Sequence, residues 1–231
     1  MEGEKGDVFP DAFPVEAGTK TLYNMKQREK MEKAGGNGMK AMRQKARQVT
    51  DRGIICAMLD QMEIIHVGMH DEPAPYVVPL NFGYTFEDDL VFYFHCARAG
   101  YKLELLERNP CVCVTASQFV SYAGGSVKGH MHDYRSVIAR GRAQRIDREK
   151  SPEAFRFALE TLLSHNRRET ADADSPMTRH IDIWRIVCRA EDVTAKAEIV
   201  PRTPDEVPFA PAVADGVPLD ESHILDAKAA R

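Results

Sequence analysis

The sequence predicts a mainly β fold, a small antiparallel barrel with helices packed on its outside. Strand-like runs follow one another at residues 73–86, 89–114 and 134–146, and a last strand is expected at residues 181–188. Helical patterns begin near Asp51 and at Pro152. Because strands lie before, between and after these two helices, the pattern favours an antiparallel barrel with peripheral helices.

Composition is compatible with one such domain and two tails. The chain has 231 residues, of which 43% are hydrophobic, and a formal net charge of −4. It has no run of 18 apolar residues and no signal-peptide pattern, so we expect neither membrane insertion nor secretion. Its five cysteines lack the C-x-x-C spacing of zinc and redox sites, which favours the reducing cytoplasm.

Three segments are expected: a flexible basic arm at 1–40, the barrel domain at 41–197, and an extended, acidic, proline-rich tail at 198–231. From Lys20 to Arg47 there are nine lysines or arginines against two glutamates. Such a stretch could contact nucleic acid or anionic lipid, but it lacks interleaved aromatics and a groove-reading element. A solvated arm is the better interpretation, and no nucleic-acid or membrane partner is expected. The acidic tail could pack on a partner subunit.

The two helices have clear start signals. Thr50 is expected to cap a helix that begins at about Asp51. Ser151 is expected to cap the other, with Pro152 at its first position. Each helix carries one apolar stripe, formed by Ile54, Ile55, Met58, Leu59 and Met62 in the first and by Phe155, Ala158, Leu159, Leu162 and Leu163 in the second.

The run from Leu90 to Phe94 is typical of a strand buried on both faces. It ends in His95, Cys96 and a short turn, and a third helix begins at once with Tyr101. Lys102 lies in the first turn of that helix, where the helix dipole disfavours a cation and free backbone N–H groups attract anions. Lys102 is therefore interpreted as half of a phosphate site. The alternative is an ordinary solvated lysine.

The preceding run, Tyr76 to Tyr84, is expected to form one strand with neither face plainly exposed to solvent. Pro79 removes one backbone donor and should mark an edge, a bulge or a bend. Backbone groups of Val78 and Leu80 would then be free to bond a ligand ring. An ordinary edge-strand proline is an equally good interpretation of this residue alone.

Together, PYVVPLNFGY, LVFYFHCARAGYKLELLERNP and YRSVIARGRAQ resemble the nitroimidazole-resistance branch of the pyridoxamine 5'-phosphate oxidase-like proteins, the FMN-binding split barrels. Residues 42–69 are similar to the first helix and first strand of that branch. The similarity spans roughly residues 42–196.

The resemblance implies a homodimer with FMN in a cleft at the interface. It implies ring contacts from the strand that holds Val78, Pro79, Leu80, Asn81 and Phe82, and ribityl and phosphate contacts from His95, Cys96, Ala97 and Lys102. A third contact would come from Tyr134, Arg135 and Ser136, with Trp184 near the interface. Arg135 is the preferred phosphate ligand, because a guanidinium can make two charge-assisted bonds to one phosphate.

Three features depart from the family pattern. Cys96 stands where this branch often has serine, and the stretch at 116–133 is longer than usual. The chain also ends in an acidic tail, whereas true pyridoxamine phosphate oxidases end in a segment with arginine and tryptophan that grips the substrate. Pyridoxal phosphate synthesis is therefore not expected.

The resulting hypothesis is an FMN-dependent oxidoreductase that reduces small nitroaromatic or quinone-like acceptors. His95 is the candidate catalytic residue, as a proton or hydrogen-bond donor; its alternative role is a buried strand-end histidine. Stacking of a flat substrate is expected from a pocket of aromatic rings, Tyr76, Phe82, Tyr93 and Tyr134. A partner subunit is expected to cover the second apolar face of the Leu90–Phe94 strand.

Other functions stay open. The protein could bind haem with His95 or His66 as axial ligand, or it could carry or sense flavin without turnover. His130 and His132 are interpreted as loop residues, so no metal site is expected. Gly124 and Gly125 lack the spacing of a phosphate-binding loop. Cys111 and Cys113 should share one strand face as small buried residues.

Overall fold

The structure, a computed structural model, describes residues 39–122, 132–166 and 178–207. Within these ranges nine strands form one antiparallel sheet and three α-helices pack on it. The strands are β1 (Gln48–Val49), β2 (Ile64–Met69), β3 (Tyr76–Asn81), β4 (Gly83–Phe86), β5 (Leu90–Ala97), β6 (Cys111–Tyr122), β7 (His132–Ile146), β8 (Ile181–Cys188) and β9 (Val193–Ala197). The helices are α1 (Arg52–Leu59), α2 (Tyr101–Arg108) and α3 (Pro152–His165).

The sheet curls into a split barrel, as predicted. Its order is β3-β2-β6-β7-β8-β5-β4, and β9 pairs with both β7 and β1. Although β3 and β5 are not hydrogen-bonded neighbours in this order, they come into contact, because the curled sheet brings its two ends together. The mainly β fold class with peripheral helices is thereby confirmed.

The longest strand, β7, joins two parts of the barrel. Its first half pairs with β9, from Arg135 opposite Ala197 onward, and its last residues pair with β8, ending at Ile146 opposite Ile183. Its other edge pairs with β6 along most of its length. Alternate residues of β7 are buried, as expected for a strand with one face on a core.

The main core fills the inside of the barrel and includes one face of α1. Ile54, Ile55, Met58 and Leu59 are buried there, as the apolar stripe predicts. The cap of α1 is one residue later than predicted. Asp51, and not Thr50, accepts a hydrogen bond from the backbone N–H of Ile54 at 2.9 Å. An aspartate at this position also carries the negative charge that the helix dipole favours.

A second, smaller core lies on the other face of β5. Tyr93 packs there with Ile146, Ile183 and Phe155, the last of which belongs to α3. From Leu90 to Phe94, both faces of β5 are therefore covered within one chain, as the apolar run indicates. The expectation that a partner subunit covers the second face was wrong, because α3 folds back over it.

Gly83 allows α3 to approach the sheet closely. A Cβ atom at this position would lie 2.6 Å from the carbonyl oxygen of Thr161 and 2.7 Å from the backbone of Leu162. Such distances are shorter than any van der Waals contact, so a side chain here would push α3 away from β4. α3 starts where predicted, with Ser151 at the N-cap position and Pro152 in the first turn, but the Ser151 side chain makes no capping hydrogen bond.

Several local predictions need correction. The run from Tyr76 to Tyr84 is two strands, broken at Phe82, and β3 exposes one face, formed by Val77, Pro79 and Asn81. The strand at 181–188 is confirmed, but it is not the last, because β9 follows it.

Other corrections concern polar residues. Cys111 and Cys113 share a face of β6, yet both are exposed because that face is the outside of the barrel. His132 begins β7 and is not in a loop, while His130, Gly124 and Gly125 lie outside the described residues.

After β9 the chain stays in contact with the domain as far as Val207. The side chain of Val207 is buried in the main core, and its carbonyl oxygen accepts a hydrogen bond from the side-chain amide of Gln61 at 3.4 Å. Glu198 forms ion pairs with Arg47 at 2.9 Å and with Lys196 at 3.1 Å. Most of the predicted arm and the rest of the predicted tail lie outside the described residues.

Candidate functional site

The predicted phosphate-binding segment forms a strand, a tight turn and a helix. β5 ends at Ala97, and α2 begins at Tyr101, directly after Gly100. Gly100 has a φ of 137°, a conformation that residues with a Cβ atom rarely adopt. Its carbonyl oxygen accepts a hydrogen bond from the N–H of Leu103 at 2.9 Å, which starts the helix. The glycine thus sets the position of the α2 N-terminus relative to β5.

Lys102 and His95 lie on either side of this turn, close enough for the charge of Lys102 to act on the imidazole. Lys102 is half-buried in the first turn of α2, and His95 is exposed near the end of β5. Partial burial of the ring and then the positive charge of Lys102 lower the pKa of His95. The alternative interpretation of His95 as a buried strand-end residue was wrong. At neutral pH this arrangement presents a neutral imidazole beside a cation.

The N-terminus of α2 is tied to the loop between β2 and β3. The hydroxyl of Tyr101 donates to the carboxylate of Asp71, 2.8 Å from each of its oxygens, and Arg108 lies 3.4 Å from the same carboxylate. The hydrogen bond from Tyr101, then the backbone N–H of Glu72 and then Arg108 hold the pKa of Asp71 below its ordinary value. The ring of Tyr76 packs edge-on against Tyr101, with centroids 5.3 Å apart. These contacts fix α2 against the start of β3.

Cys96 and Ala97 contribute to this segment in different ways. The Cys96 side chain is 4% exposed and points into the main core, where burial raises the pKa of the thiol. Only the backbone of Cys96 is available to a ligand on the outside. Ala97 is exposed and pairs with Ile181 of β8.

β3 is an edge strand, as the presence of Pro79 predicts. It pairs with β2 only, so alternate backbone groups along its other edge have no partner strand within the described part of the chain. Val78 and Leu80 are half-buried and pack on the main core, whereas Pro79 and Asn81 are exposed. The amide of Asn81 donates to the carbonyl oxygen of Glu63 at 3.3 Å.

The predicted pocket of four aromatic rings is not formed. Phe82 is fully buried in the main core and packs against Phe92 and His165. Tyr93 lies on the opposite face of the sheet, in the smaller core under α3. Since these two rings lie in separate cores, they cannot line one open cleft. Any contribution of Phe82 to a ligand site comes from its backbone.

The third predicted segment lies at the far end of β7. Arg135 is 4% exposed and pairs with Gln118 of β6 and Ala197 of β9. The other end of β7, at Ile146, lies beside β8, and β8 in turn pairs with β5. Within one chain, His95 therefore lies level with the Ile146 end of this fifteen-residue strand, whereas Arg135 lies near its other end. The structure does not bring Arg135 next to the α2 segment of the same chain.

The neighbours of Arg135 point outward. Tyr134 is 39% exposed, and its hydroxyl lies 2.6 Å from the Nζ atom of Lys196. Ser136 is half-buried and pairs with Ser117 and Lys196. Lys196, which no sequence motif indicates, is thus a cation next to the predicted Tyr134 contact.

Trp184 lies in β8, opposite Phe94, and is 5% exposed. Its indole Nε1–H has no hydrogen-bond acceptor among the described residues. A buried donor without a partner is costly, so this group is available to an acceptor that the described chain does not supply.

The structure also assembles charged residues that the sequence analysis did not select. Asp182 lies between Arg98 and Arg145, 3.7 Å from each. These residues are far apart in the chain, and only the pairing of β8 with β5 and β7 brings them together. No local motif could have indicated them.

Within residues 39–122, 132–166 and 178–207, no group of three or more His, Cys, Asp or Glu side chains is arranged to hold a metal ion. None of the helices in those ranges is long and apolar enough to cross a membrane.

Comparison with solved structures reveals similar proteins. A candidate 5-nitroimidazole antibiotic resistance protein from Bacteroides thetaiotaomicron is 29% identical, with 65% of this chain and 86% of that chain covered and a TM-score of 0.52. An FAD and heme binding protein from Mycobacterium smegmatis is 20% identical, with 77% and 96% covered and a TM-score of 0.51. A conserved hypothetical protein from Mycobacterium tuberculosis is 16% identical, with 68% and 90% covered and a TM-score of 0.51. The last two similarities concern the fold alone.

No curated protein sequence matches this chain. The sequence profile described as pyridoxamine 5'-phosphate oxidase matches residues 51–196, which include every helix and all strands from β2 to β8. This match and the Bacteroides structure confirm the resemblance carried by the β3, β5–α2 and β7 segments. The chain therefore belongs to the pyridoxamine 5'-phosphate oxidase family.

Proposed function

We propose that this protein binds FMN and passes electrons from the reduced flavin to small nitroaromatic or quinone-like acceptors. The observation that carries the proposal is the β5–α2 segment, where Lys102 and the first turn of α2 offer a cation and backbone donors to one phosphate. When bound, FMN supplies the redox chemistry, and the protein supplies binding, orientation and electrostatics.

The residues around this segment fit a phosphorylated planar cofactor. The unpaired edge of β3 offers alternate backbone groups of residues 78–81 to a flavin ring. Trp184 supplies a buried indole N–H that lacks an acceptor among the described residues. These features support a flavin site along β3 and α2, with the phosphate at Lys102.

His95 is proposed to assist proton delivery to the acceptor. It is exposed, and the lowered pKa keeps its imidazole mostly neutral at pH 7. A neutral imidazole can donate one hydrogen bond through its ring N–H, and its protonated form is a stronger acid than an ordinary imidazolium. Both properties suit a group that donates a proton as electrons leave the flavin.

A homodimer is proposed, with the outer face of β3, β2, β6 and β7 as its interface. Large apolar side chains are exposed across these strands, namely Ile64, Val77, Phe119, Tyr134 and Ile138. The pairing of β2 with β6 and of β6 with β7 makes this face continuous. An exposed apolar face of this extent is typical of a protein interface, and a two-fold copy is the commonest cover.

The dimer also gives a role to the predicted contacts on β7. In one chain, these residues, Tyr134, Arg135 and Ser136, lie near the start of β7, whereas His95 lies level with its end. We propose that they contribute to the cofactor site of the second subunit, which would place FMN at the interface.

The five cysteines are free thiols, which supports a cytoplasmic location.

The absorbance spectrum of the purified protein tests the cofactor. Bands of oxidised flavin are expected. A Soret band would instead establish haem binding, with His95 or the exposed His66 as candidate ligands. A colourless protein that does not respond to added FMN would contradict both cofactors.

The reaction is tested by stopped-flow reoxidation of the reduced, FMN-loaded protein. Nitroaromatics and quinones are expected to reoxidise it faster than buffer alone, while pyridoxamine phosphate is not oxidised. Identical rates with and without every acceptor would overturn the reductase proposal and leave a flavin carrier or sensor.

A further inference from the structure

A cleft of about 320 Å³ lies where β5 and β7 end and β8 begins. Its lining combines the guanidinium groups of three arginines with three carboxylates and three apolar side chains. The arginines are Arg98, Arg145 and Arg148, the acidic residues are Asp147, Glu149 and Asp182, and the apolar residues are Ile146, Phe155 and Ile181. Lys102, the proposed phosphate ligand, does not line it. The cleft and the phosphate end of the proposed flavin site therefore use different cations, although Arg98 lies in the turn between β5 and α2.

The two exposed arginines of this cleft, Arg98 and Arg145, share the carboxylate of Asp182. Asp182 is the single carboxylate between Arg98 and Arg145, and each contact is 3.7 Å long. The side chains of the two arginines are 57% and 56% exposed, whereas that of Asp182 is 17% exposed. Each guanidinium has five N–H donors, so one carboxylate at this distance leaves donors of both directed at solvent or at a ligand.

Arg148 adds a third cation in a fixed orientation. Its guanidinium lies 4.9 Å from the centre of the Phe155 ring and donates to the carbonyl oxygen of Thr178 at 3.1 Å. The nearby carboxylate of Asp147 is already occupied. It accepts from the backbone N–H groups of Glu149 at 2.9 Å and Lys150 at 3.0 Å, and the Lys150 ammonium lies 3.8 Å away.

We infer that this cleft binds a small organic anion, a carboxylate or a phosphate monoester, with an apolar body. The anionic group would lie between Arg98 and Arg145, where a planar, forked guanidinium can make two parallel bonds to it. The apolar body would lie against Ile146 and Phe155. The inference does not require flavin at the β5–α2 segment, because the two sites use different cations.

The test is calorimetric titration of the protein, as purified and after FMN loading, with phenyl phosphate, and with benzyl alcohol as the uncharged probe. Saturable binding of phenyl phosphate alone is expected in both forms. Arg98→Gln and Arg145→Gln should each weaken it about five-fold or more, the equivalent of one partly exposed charged contact. Asp182→Asn should tighten it, because it removes the competing carboxylate. Arg156→Gln, an exposed arginine on α3, is the matched control and should change nothing.

Three results would overturn the inference. The first is the absence of saturable binding at millimolar phenyl phosphate. The second is equal weakening by Arg156→Gln, which would reveal only a general charge effect. The third is binding that disappears when FMN is loaded, because the probe would then occupy the phosphate site of the cofactor. A protein that takes up no FMN but binds phenyl phosphate through Arg98 and Arg145 would contradict the proposed function and leave this inference intact.

Discussion

The imidazole of His95 is kept in its neutral form by partial burial first and by the positive charge of Lys102 second. The two residues lie on opposite sides of the turn that Gly100 shapes, so the fold couples the proposed proton donor to the proposed phosphate ligand. A bound phosphate would offset part of the charge of Lys102. Cofactor binding should therefore raise the pKa of His95.

Lys102→Met should raise the pKa of His95 without restoring the ordinary value of a histidine. The reason is that the substitution removes the charge of Lys102 and leaves the burial, which is the larger cause. The measurement is an NMR titration of the imidazole C–H signals. Lys150→Met, a change of the same kind at an exposed position, should leave the titration of His95 unchanged. If both variants shift it equally, the local coupling is absent.

The lowered pKa of His95 also predicts a pH dependence of stability. Between the lowered pKa and about 6.5, the unfolded state binds more protons at this residue than the folded state. The contribution of His95 to the free energy of unfolding should therefore decrease as the pH falls through this interval. His95→Gln should flatten this part of the stability curve in urea denaturation. A wild-type and a variant curve with the same slope there would contradict the prediction.

Lys102→Ala should weaken FMN binding about ten-fold or more and riboflavin binding much less, since a charged hydrogen bond to phosphate contributes about 1.5–3 kcal/mol. Fluorescence titration of the apoprotein with each flavin gives both dissociation constants. Equal losses for the two flavins would remove the phosphate assignment.

Arg135→Ala is a poorer test of the same site. The side chain is 4% exposed, and its removal disrupts interactions in the folded chain, so a loss of stability is expected together with any loss of FMN. The variant is informative only when its unfolding curve is measured beside its flavin affinity.

Ile138→Glu should convert the proposed homodimer to monomers. Ile138 is 37% exposed at the centre of the uncovered sheet face, opposite Thr115 of β6, and a charge there would be buried in the interface. Sedimentation velocity measures the change. Ile199→Glu introduces the same charge at a residue that is 76% exposed after β9, and it should leave the assembly intact. A wild-type monomer at micromolar concentration that still binds FMN tightly would contradict the interface.

Gly83→Ala should destabilise the fold by about 1–3 kcal/mol, because the new methyl group meets the backbone of α3 and cannot be accommodated by a side-chain rotation. Urea denaturation followed by circular dichroism gives the value. Gly68→Ala is the control, since a Cβ atom there would lie 3.5 Å from its nearest neighbour, an ordinary contact. Similar losses in the two variants would show that the close approach of α3 is not the cause.

His95→Ala should slow electron transfer to nitroaromatic acceptors while FMN stays bound. In the wild type, this rate should fall as the pH rises through the lowered pKa of His95, because the protonated imidazole is lost. Stopped-flow reoxidation over a range of pH values checks both statements. A pH profile that is the same in the variant would exclude His95 as the proton donor.

The sequence by itself determined the three helices, the strands β5 and β8, and the family. The apolar run of β5, the turn ending in Gly100 and the cation in the first turn of α2 are local features, so their chemistry can be read from neighbouring residues. Pro79 indicated an edge strand for the same reason. A proline lacks the backbone N–H that pairing on both sides requires, and this is a property of the single residue.

Only the tertiary structure decided which faces meet. The sequence pattern showed that β5 is apolar on both faces, but it could not show that α3, some sixty residues later, covers the second one. The same limit applies to Phe82 and Tyr93, whose side chains lie in separate cores. It also applies to Arg98, Arg145 and Asp182, which come together only because β8 pairs with both β5 and β7. Contacts between distant segments depend on strand order and register, and these follow from the packing of the whole barrel.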